Sequence, residues 1–167
     1  SGLVGTFPAL NQRTTEGCGA WLSEVKGRRA GVPRAAPYGV NLIVQRSKPR
    51  LGADLRKIVE HKVPLVIASR GAVPDVVKAV HSYGGRVFHD VISRRHAEKA
   101  AEAGVDGIIA VAAGAGGHAG TLSPFALIPE IRSFFDGTIL LSGAMSTGDQ
   151  IAAARVMGAD MAYLGTR

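Results

Sequence analysis

The sequence predicts an α/β fold, a (β/α)8 TIM-type barrel, and three observations support this prediction. Short apolar runs alternate with amphipathic stretches along the 167 residues. The apolar runs are almost continuously hydrophobic, which is typical of parallel strands buried on both faces. Loops rich in Gly and Ser follow several of the runs, which favours a barrel. The alternative fold, a doubly wound sheet, binds ligands at a single switch point. We count seven strands and six helices, so one strand and the closing helix of the full barrel are missing.

The first half of the chain carries three predicted strands, each followed by a predicted helix. The strands cover residues 3–7, 38–44 and 64–69. Thr14 or Thr15 caps a helix that runs through Val25, and a second helix covers 53–61. Pro74 suits the first position of a third helix. The valines of that helix recur at i, i+3, i+4 and i+7, which indicates one buried helical face; they are Val73, Val76, Val77 and Val80.

The second half repeats the alternation with four more strands. They cover residues 86–91, 106–111, 138–141 and 161–164. Ser93 caps a helix through Ala103, and Thr147 with Gln150 forms the capping box of a helix through Met157. A further helix covers 124–135, and its bulky residues recur every three to four positions; they are Phe125, Ile128, Ile131, Arg132 and Phe135. Asp106 and Asp160 begin strands at the end opposite the strand-end loops, where we expect a role in stability.

Length and composition describe one globular domain that spans residues 1–167. The chain is 46% hydrophobic and 20% charged, and no apolar run approaches the ~20 residues that cross a bilayer, so we expect no membrane partner. The N-terminal residues lack a signal-peptide pattern. Cys18 is the only cysteine and has no metal-ligand neighbour in the sequence, so we interpret it as inert and expect no metal. A single cysteine fits a reducing compartment, and we expect the cytoplasm.

The net charge of +7 raises the question of nucleic-acid binding. Residues 1–100 hold 17 basic and 7 acidic side chains, with dense basic patches at residues 26–34 and 46–50. These patches lack the interleaved aromatic side chains that stack on bases, and they match no nucleic-acid motif. We therefore interpret them as a solvated face and expect no nucleic-acid partner.

The most informative stretch is the loop after the fifth predicted strand, where glycines flank His118 in the sequence AGAGGHAG. Glycine lets a backbone approach a ligand closely, which makes Gly116 and Gly117 candidate binding residues. Histidine can transfer protons near neutral pH. The alternative, a loose Gly/Ala turn with an incidental histidine, stays open on spacing alone.

Polar residues lie at the ends of other strands, where a barrel places its active site. They include Asn41, Ser69 and His89; a structural role for His89 is the alternative to ligand binding. A barrel commonly binds phosphate after its last two strands and at a nearby helix N-terminus. Gly143 and Gly165 occupy those loops in this sequence, and the helix capped by Thr147 begins nearby. Two ordinary tight turns are the alternative interpretation.

Four segments, taken together, resemble the nitronate monooxygenase family, formerly called 2-nitropropane dioxygenases. They are residues 39–42 (GVNL), 115–120 (AGGHAG), 141–144 (LSGA) and 158–167 (GADMAYLGTR). The resemblance runs in order over essentially the whole chain, and its most specific part is AGGH. It implies a flavin-dependent (β/α)8 barrel that binds FMN, with His118 as the active-site base and Asn41 near the isoalloxazine ring or the ribityl chain.

The resemblance also implies a phosphate site for FMN, made by Gly143, Ala144, Gly165 and Thr166. Other candidate flavin contacts are Ser69, His89, Gly116, Gly117 and Ser142. The family's first strand, with an Ala-Pro-Met segment beside the flavin, has no counterpart here, and the family continues beyond Arg167. We therefore expect this chain to be the middle part of a longer protein.

The expected function is the FMN-dependent oxidation of alkyl nitronates or nitroalkanes by O2. One alternative is an NAD(P)H-dependent FMN reductase acting on enoyl-acyl carrier protein or a quinone, because relatives of that kind share the barrel and the AGGH loop. A second is a non-catalytic flavin- or phosphate-binding barrel. The expected partners are a small substrate and O2; the oligomeric state is open, with a homodimer as one option.

Overall fold

The computed structural model describes residues 3–44, 49–71, 73–117 and 120–165. Strands and helices alternate along these residues, and the chain divides into two compact units, Ser1–Val87 and Phe88–Arg167. Within each unit, every strand pairs in parallel with the next strand of the chain. A helix connects the members of each pair, as parallel pairing requires. Parallel strands that pair in chain order are the arrangement predicted from the sequence.

The first unit contains three strands and three helices. They are β1 (Gly5–Pro8), a 3-10 turn (Ala9–Asn11), α1 (Thr15–Ala30), β2 (Tyr38–Ile43), α2 (Leu51–Glu60), β3 (Leu65–Ser69) and α3 (Pro74–His81). Thr14 caps α1, because its Oγ1 accepts a hydrogen bond from the Gly17 N–H at 3.0 Å. Val76, Val77 and Val80 of α3 are buried, as their spacing predicts. The strands begin and end within two residues of the predicted positions.

A buried carboxylate joins α1 to α2. Asp54 is only 1% exposed, and its Oδ1 accepts hydrogen bonds from Thr15 Oγ1 at 2.7 Å and from Arg50 Nη2 at 3.2 Å. Arg50 also donates from Nη1 to the Gln12 carbonyl at 2.9 Å. A buried charge requires partners of this kind. The assignment of Arg50 to a solvated face was therefore wrong, because its guanidinium is tied to the partly buried start of α2.

The other basic patch agrees with the predicted solvated face. Residues 26–34 are exposed except for Arg29, which is half-buried. The Arg29 guanidinium lies 5.1 Å above the centre of the Tyr38 ring and donates to the Ala35 carbonyl at 3.1 Å. Residues 46–48 of the second patch lie outside the described residues. None of the helices in the described part of the chain is both long and apolar enough to cross a membrane.

The second unit contains four strands and three helices. They are β4 (Arg86–Val91, which begins in the first unit), α4 (Arg94–Glu102), β5 (Gly107–Val111), α5 (Pro124–Arg132), β6 (Thr138–Ser142), α6 (Gly148–Val156) and β7 (Met161–Ala162). Ser93 caps α4 through a bond from the His96 N–H, and the capping box of Thr147 and Gln150 is formed. These caps, and strand ends within two residues of the predicted ones, confirm the strands and capped helices predicted for this half of the chain.

The residues that recur at helical spacing in α5 are not all buried. Phe125 is 75% exposed, whereas Ile128 and Ile131 are fully buried together with Leu127, which the spacing did not single out. Phe125 occupies the first turn of the helix, where the helix emerges from a loop. A residue there can match the helical period and still lie beyond the edge of the packed surface.

A single arginine ties together the connections at the amino ends of β6 and β7. The Arg132 guanidinium donates to the carbonyls of Phe135, Gly137 and Gly158 and to Asp160 Oδ2, the last at 2.7 Å. Asp160 Oδ2 also accepts a hydrogen bond from the Ile139 N–H at 2.8 Å. This geometry agrees with the predicted stabilising role of Asp160.

The pKa of Asp160 reflects these partners. Burial raises the pKa of the carboxyl, but the hydrogen bonds from Ile139 and Arg132 and the charge of Arg132 outweigh burial, so the pKa is lowered overall. A carboxyl whose pKa is lowered by folding stabilises the protein above its unfolded-state pKa. That contribution is lost as the pH falls through its folded-state pKa.

We expect Asp160→Asn to destabilise the full-length protein by about 1 kcal/mol at pH 7, a small value because half of the side chain is exposed to solvent. The difference from the wild type should begin to shrink as the pH falls below about 4, the ordinary pKa of an aspartate, and should vanish once Asp160 is protonated in the folded protein as well. Urea unfolding at pH 7 and at acid pH measures this difference in the free energy of unfolding. Asp136→Asn, at an exposed position of the turn before β6, is the control. A loss that does not change with pH would show that charge is not its cause.

Candidate functional site

Nine of the eleven predicted site residues lie within the described residues. Asn41 and Ser69 belong to the first unit, and the other seven belong to the second. His118 and Thr166 lie outside the described residues, so the structure gives no position for the predicted base or for the last predicted phosphate contact.

In the first unit, Asn41 and Ser69 are brought together by the register of β2 and β3. Asn41 pairs with Ile67, two residues before Ser69. The Asn41 Nδ2 donates to Ser69 Oγ at 2.6 Å and to the Ile67 carbonyl at 3.4 Å. Because an amide has only two N–H protons, these bonds use both of them. The Oδ1 is then the atom of the Asn41 side chain that remains to accept a further hydrogen bond.

The turn after β3 holds Ser69 in place. The Val44 N–H donates to the Ser69 carbonyl at 2.8 Å. The chain then turns sharply, with φ of +62° at Arg70 and +77° at Gly71. A Cβ at Gly71 would overlap the Val44 carbonyl oxygen, so only glycine allows this close approach. The carboxyl ends of β2 and β3 are thereby locked together.

In the second unit, the loop after β5 lies against the loop after β6. The Ala112 N–H donates to the Ser142 carbonyl at 2.9 Å, which extends the strand pairing by one residue. A Cβ at Gly143 would lie 3.0 Å from the Ala113 carbonyl oxygen. Ala144, with φ of +47°, follows directly. The predicted residues 142–144 are therefore packed on the start of the glycine-rich loop, a contact that the sequence did not reveal.

The segment that leaves β7 runs beside β6. Leu141 pairs with Ala162, and the Leu141 carbonyl accepts a hydrogen bond from the Tyr163 N–H at 2.8 Å. Gly165 follows two residues later and is exposed. Among the described residues, no atom lies within 4 Å of a Cβ built at Gly165. The loops of Gly143 and Gly165 thus leave neighbouring strands, β6 and β7.

The start of α6 is less available to an anion than the sequence suggested. Gln150 Oε1 accepts hydrogen bonds from the N–H groups of Ser146 at 2.6 Å and Thr147 at 3.0 Å. Asp149 adds an acidic side chain in the first turn. Gln150 therefore already occupies two N–H groups at the start of α6, and the Asp149 carboxylate already offsets part of the positive charge of the helix dipole. Any phosphate contact here therefore depends mainly on the loops after β6 and β7.

The remaining predicted residues differ in exposure. His89 is 8% exposed, and it pairs with Ile108 in the sheet of the second unit. Gly116 and Gly117 are exposed, and a Cβ at either position would meet no atom within 4 Å. The glycine-rich loop therefore starts against β6 and then extends into solvent.

Solved structures confirm the predicted fold class. The chain matches a mutant of FabK from Thermotoga maritima with a TM-score of 0.80 and 26% identity, over 92% of this chain and 50% of that one. It matches nitroalkane oxidase from Streptomyces ansochromogenes with a TM-score of 0.82 and 21% identity, over 97% of this chain and 57% of that one. Both are TIM-barrel proteins.

Sequence comparisons identify the family. Nitronate monooxygenase from Neurospora crassa is 32% identical over 111 residues, which cover 59% of this chain and 29% of that protein. The chain spans about a third of the length of the curated relatives it matches. A family model for nitronate monooxygenase matches residues 33–167, which include every candidate residue in both units, and the chain therefore belongs to the nitronate monooxygenase family.

Proposed function

We propose that the full-length protein is an FMN-dependent enzyme that oxidises alkyl nitronates and nitroalkanes with O2. The observation that carries this proposal is the arrangement of three loops in the second unit: the glycine-rich loop after β5 packs on the loop after β6, and the segment with Gly165 runs beside them. In a member of this family, such a cluster can hold a phosphate next to the AGGH segment. The name of the Neurospora relative supports a nitronate as the substrate.

Two features of the described residues support a phosphate site for FMN. Gly165 leaves open space where a side chain would stand, so a ligand can approach its backbone closely. Gly143 and Ala144 turn the chain at the neighbouring strand end. We assign the phosphate to backbone N–H groups of these three residues and of Thr166, with Ser142 at the start of the turn. Backbone N–H groups bind phosphate well because they donate directed hydrogen bonds.

The ring and ribityl chain of FMN are assigned to residues at other strand ends. Asn41 would accept a hydrogen bond through Oδ1, since both of its N–H protons are used within the first unit. Ser69 fixes that amide, and His89, Gly116 and Gly117 are assigned to the ring in the second unit. When bound, FMN accepts the electrons of the substrate and passes them to O2.

His118 is assigned the transfer of one proton. A neutral nitroalkane must lose a proton from carbon before it can be oxidised, whereas a nitronate has already lost it. The sequence holds no Asp, Glu, Lys or Arg from residue 107 to residue 129, so His118 is the one side chain of this stretch suited to act as a base near pH 7. Its role as the base is therefore specific to the neutral substrate.

Anaerobic mixing of the FMN-loaded protein with a nitronate or with NADH tests the proposed reaction. We expect the nitronate to bleach the flavin absorbance. Bleaching by NADH alone would instead support the FMN reductase that acts on enoyl-acyl carrier protein or a quinone. Stoichiometric FMN that neither compound reduces would indicate a non-catalytic flavin-binding barrel.

The phosphate assignment predicts the effect of Gly165→Val. Among the described residues, no atom lies within 4 Å of a Cβ at Gly165, so we expect the substitution to obstruct the ligand more than the fold. FMN affinity should fall by about tenfold or more, the equivalent of one lost charge-assisted hydrogen bond. Riboflavin, which lacks the phosphate, should bind almost as before. Fluorescence titration of the apoprotein measures both affinities.

Gly5→Val is the matched control, because a Cβ at Gly5, at the start of β1, also meets no atom within 4 Å. It should leave both affinities unchanged. Gly143→Val is a poorer test, since its side chain would press on the Ala113 carbonyl and disturb the loop even without a ligand. Equal losses of FMN and riboflavin affinity in Gly165→Val would mean that the phosphate is held elsewhere.

The assignment of His118 predicts that His118→Asn separates two substrates. Asparagine keeps polarity and approximate size but cannot accept a proton at neutral pH. Turnover of the neutral nitroalkane should fall by ~10²–10⁴-fold, the usual contribution of a general base. Oxidation of the nitronate should continue at a reduced but measurable rate, with FMN still bound. In the wild type, the rate on the neutral substrate should rise with pH through one ionisation that the variant lacks.

Steady-state rates on a nitroalkane and on its nitronate, across pH, measure the separation. Equal losses on both substrates would make His118 an anchor for the nitro group and not a base. Loss of FMN from the variant would make its role structural.

A further inference from the structure

Basic side chains gather at the amino edge of the first unit's sheet, opposite the strand ends that carry the candidate residues. The starts of β2, β3 and β4 lie side by side there, because β2 pairs in parallel with β3 and the Arg86 N–H donates to the Pro64 carbonyl at 2.9 Å. We call the basic residues at or near these starts the basic edge; they are Arg29, Arg34, Lys62 and Arg86.

Few acidic side chains accompany the basic edge. The second halves of α1 and α2 carry Glu24 and Glu60, and each is already paired with a basic residue one helical turn away, at 2.6 and 2.8 Å. The other acidic residues of the first unit lie in the first turn of a helix, toward the other edge of the sheet; they are Glu16, Asp54 and Asp75. Arg34 and Lys62 are exposed and have no acidic partner among the described residues.

Lys62 occupies a position that glycine takes elsewhere in the chain. It has φ of +49°, and the N–H of the next residue, Val63, donates to the Ile58 carbonyl five positions earlier at 3.1 Å. This is the Schellman motif at the end of a helix, in which the residue with positive φ is usually glycine. Three other described helices, α3, α4 and α6, end in the same way on glycine; the residues are Gly84, Gly104 and Gly158. Lys62 is therefore the exception among these four helix ends.

Arg34 occupies a second position of this kind. The Ala35 N–H donates to the Val32 carbonyl at 3.2 Å, which closes a turn over Pro33 and Arg34, and Arg34 has φ of +56°. A turn with proline at its second position and a positive φ at its third matches type II, where glycine or asparagine is usual. A residue with a Cβ adopts this conformation at a cost in free energy. Two members of the basic edge thus stand where glycine would suit the backbone better.

We propose that the basic edge is a docking surface for an acidic segment of a partner protein. Guanidinium and ammonium groups form charge-assisted hydrogen bonds with carboxylates, and the edge offers such groups without acidic neighbours to compete for them. Side chains held in an unfavourable backbone conformation point to a function other than stability. This inference goes beyond the proposed function and does not depend on it, because the basic edge lies at the end of the first unit's strands opposite Asn41 and Ser69.

The surroundings of the basic edge favour a protein over other anionic partners. Val32, in the loop before Arg34, is 55% exposed, and protein interfaces combine apolar contacts of this kind with charged ones. Single-stranded nucleic acid needs exposed aromatic rings on which bases stack, whereas Tyr38 is 8% exposed and lies under Arg29. Interfacial helices that bind membranes carry several bulky apolar side chains, but Val32 is the only large apolar side chain that is exposed within the described residues 26–37.

Calorimetric titration of the full-length protein with poly-L-glutamate, at low ionic strength, tests the docking surface. The double variant Arg34→Gly/Lys62→Gly should bind this probe about fivefold more weakly or worse, because it loses two exposed ion pairs. The matched control is Arg13→Gln/Arg56→Gln, which removes the same charge from two exposed positions outside the basic edge. The control should weaken binding by less than about twofold, since it leaves the edge intact.

The double variant should also be at least as stable as the wild type in urea unfolding, because glycine suits the positive φ at both positions. A loss of stability would show that the two basic side chains serve the fold, and equal losses of binding in the control would show attraction by net charge alone; either result overturns the proposal. A short DNA duplex and vesicles that contain phosphatidylserine are the competing probes. If the double variant weakens binding of one of these and not of poly-L-glutamate, the edge binds nucleic acid or membrane, and the protein partner is ruled out.

Discussion

Parallel strand pairing is the constraint on which the rest of each unit depends. Two parallel neighbours cannot be joined by a tight turn, so the chain returns through a helix after every strand. All strands of a unit consequently end at the same edge. In the first unit this puts Asn41 of β2 within 2.6 Å of Ser69 at the end of β3. In the second unit it gathers the loops after β5, β6 and β7, whose residues are far apart in sequence.

Most of the fold could be predicted from the sequence because its signals act over few residues. A cap such as Thr14 binds an N–H three positions away, and a run of five or six apolar residues specifies a strand without reference to its partners. The period of α5 was equally visible, yet it misplaced Phe125, which is exposed while Leu127 is buried. The helical period specifies a face of a helix, but only the opposing elements determine where the buried surface stops.

The strand ends that carry the candidate residues were predictable from the sequence, whereas the contacts of those residues were not. The rule that ligand loops follow parallel strands, together with the family resemblance, located the loops of Asn41, Gly143 and Gly165. The pairing that locks the Asn41 amide, and the use of Ser146 and Thr147 N–H groups by Gln150, depend on exact approach between segments, which spacing does not specify. Arg50 illustrates the same point, since only the fold reveals the buried Asp54 that binds it. His118 and Thr166 stay predictions.

The arginine at the amino ends of β6 and β7 has a consequence for how such a protein evolves. Arg132 donates hydrogen bonds to three backbone carbonyls and forms an ion pair with the Asp160 carboxylate. This cluster lies at the edge of the unit opposite the candidate loops. Residues that maintain the second unit are thus largely separate from the residues that we propose as ligand contacts. Substitutions in the loops can alter what is bound while the Arg132 cluster preserves the framework. Because the framework residues are separate from the loop residues, one barrel architecture can support many different reactions.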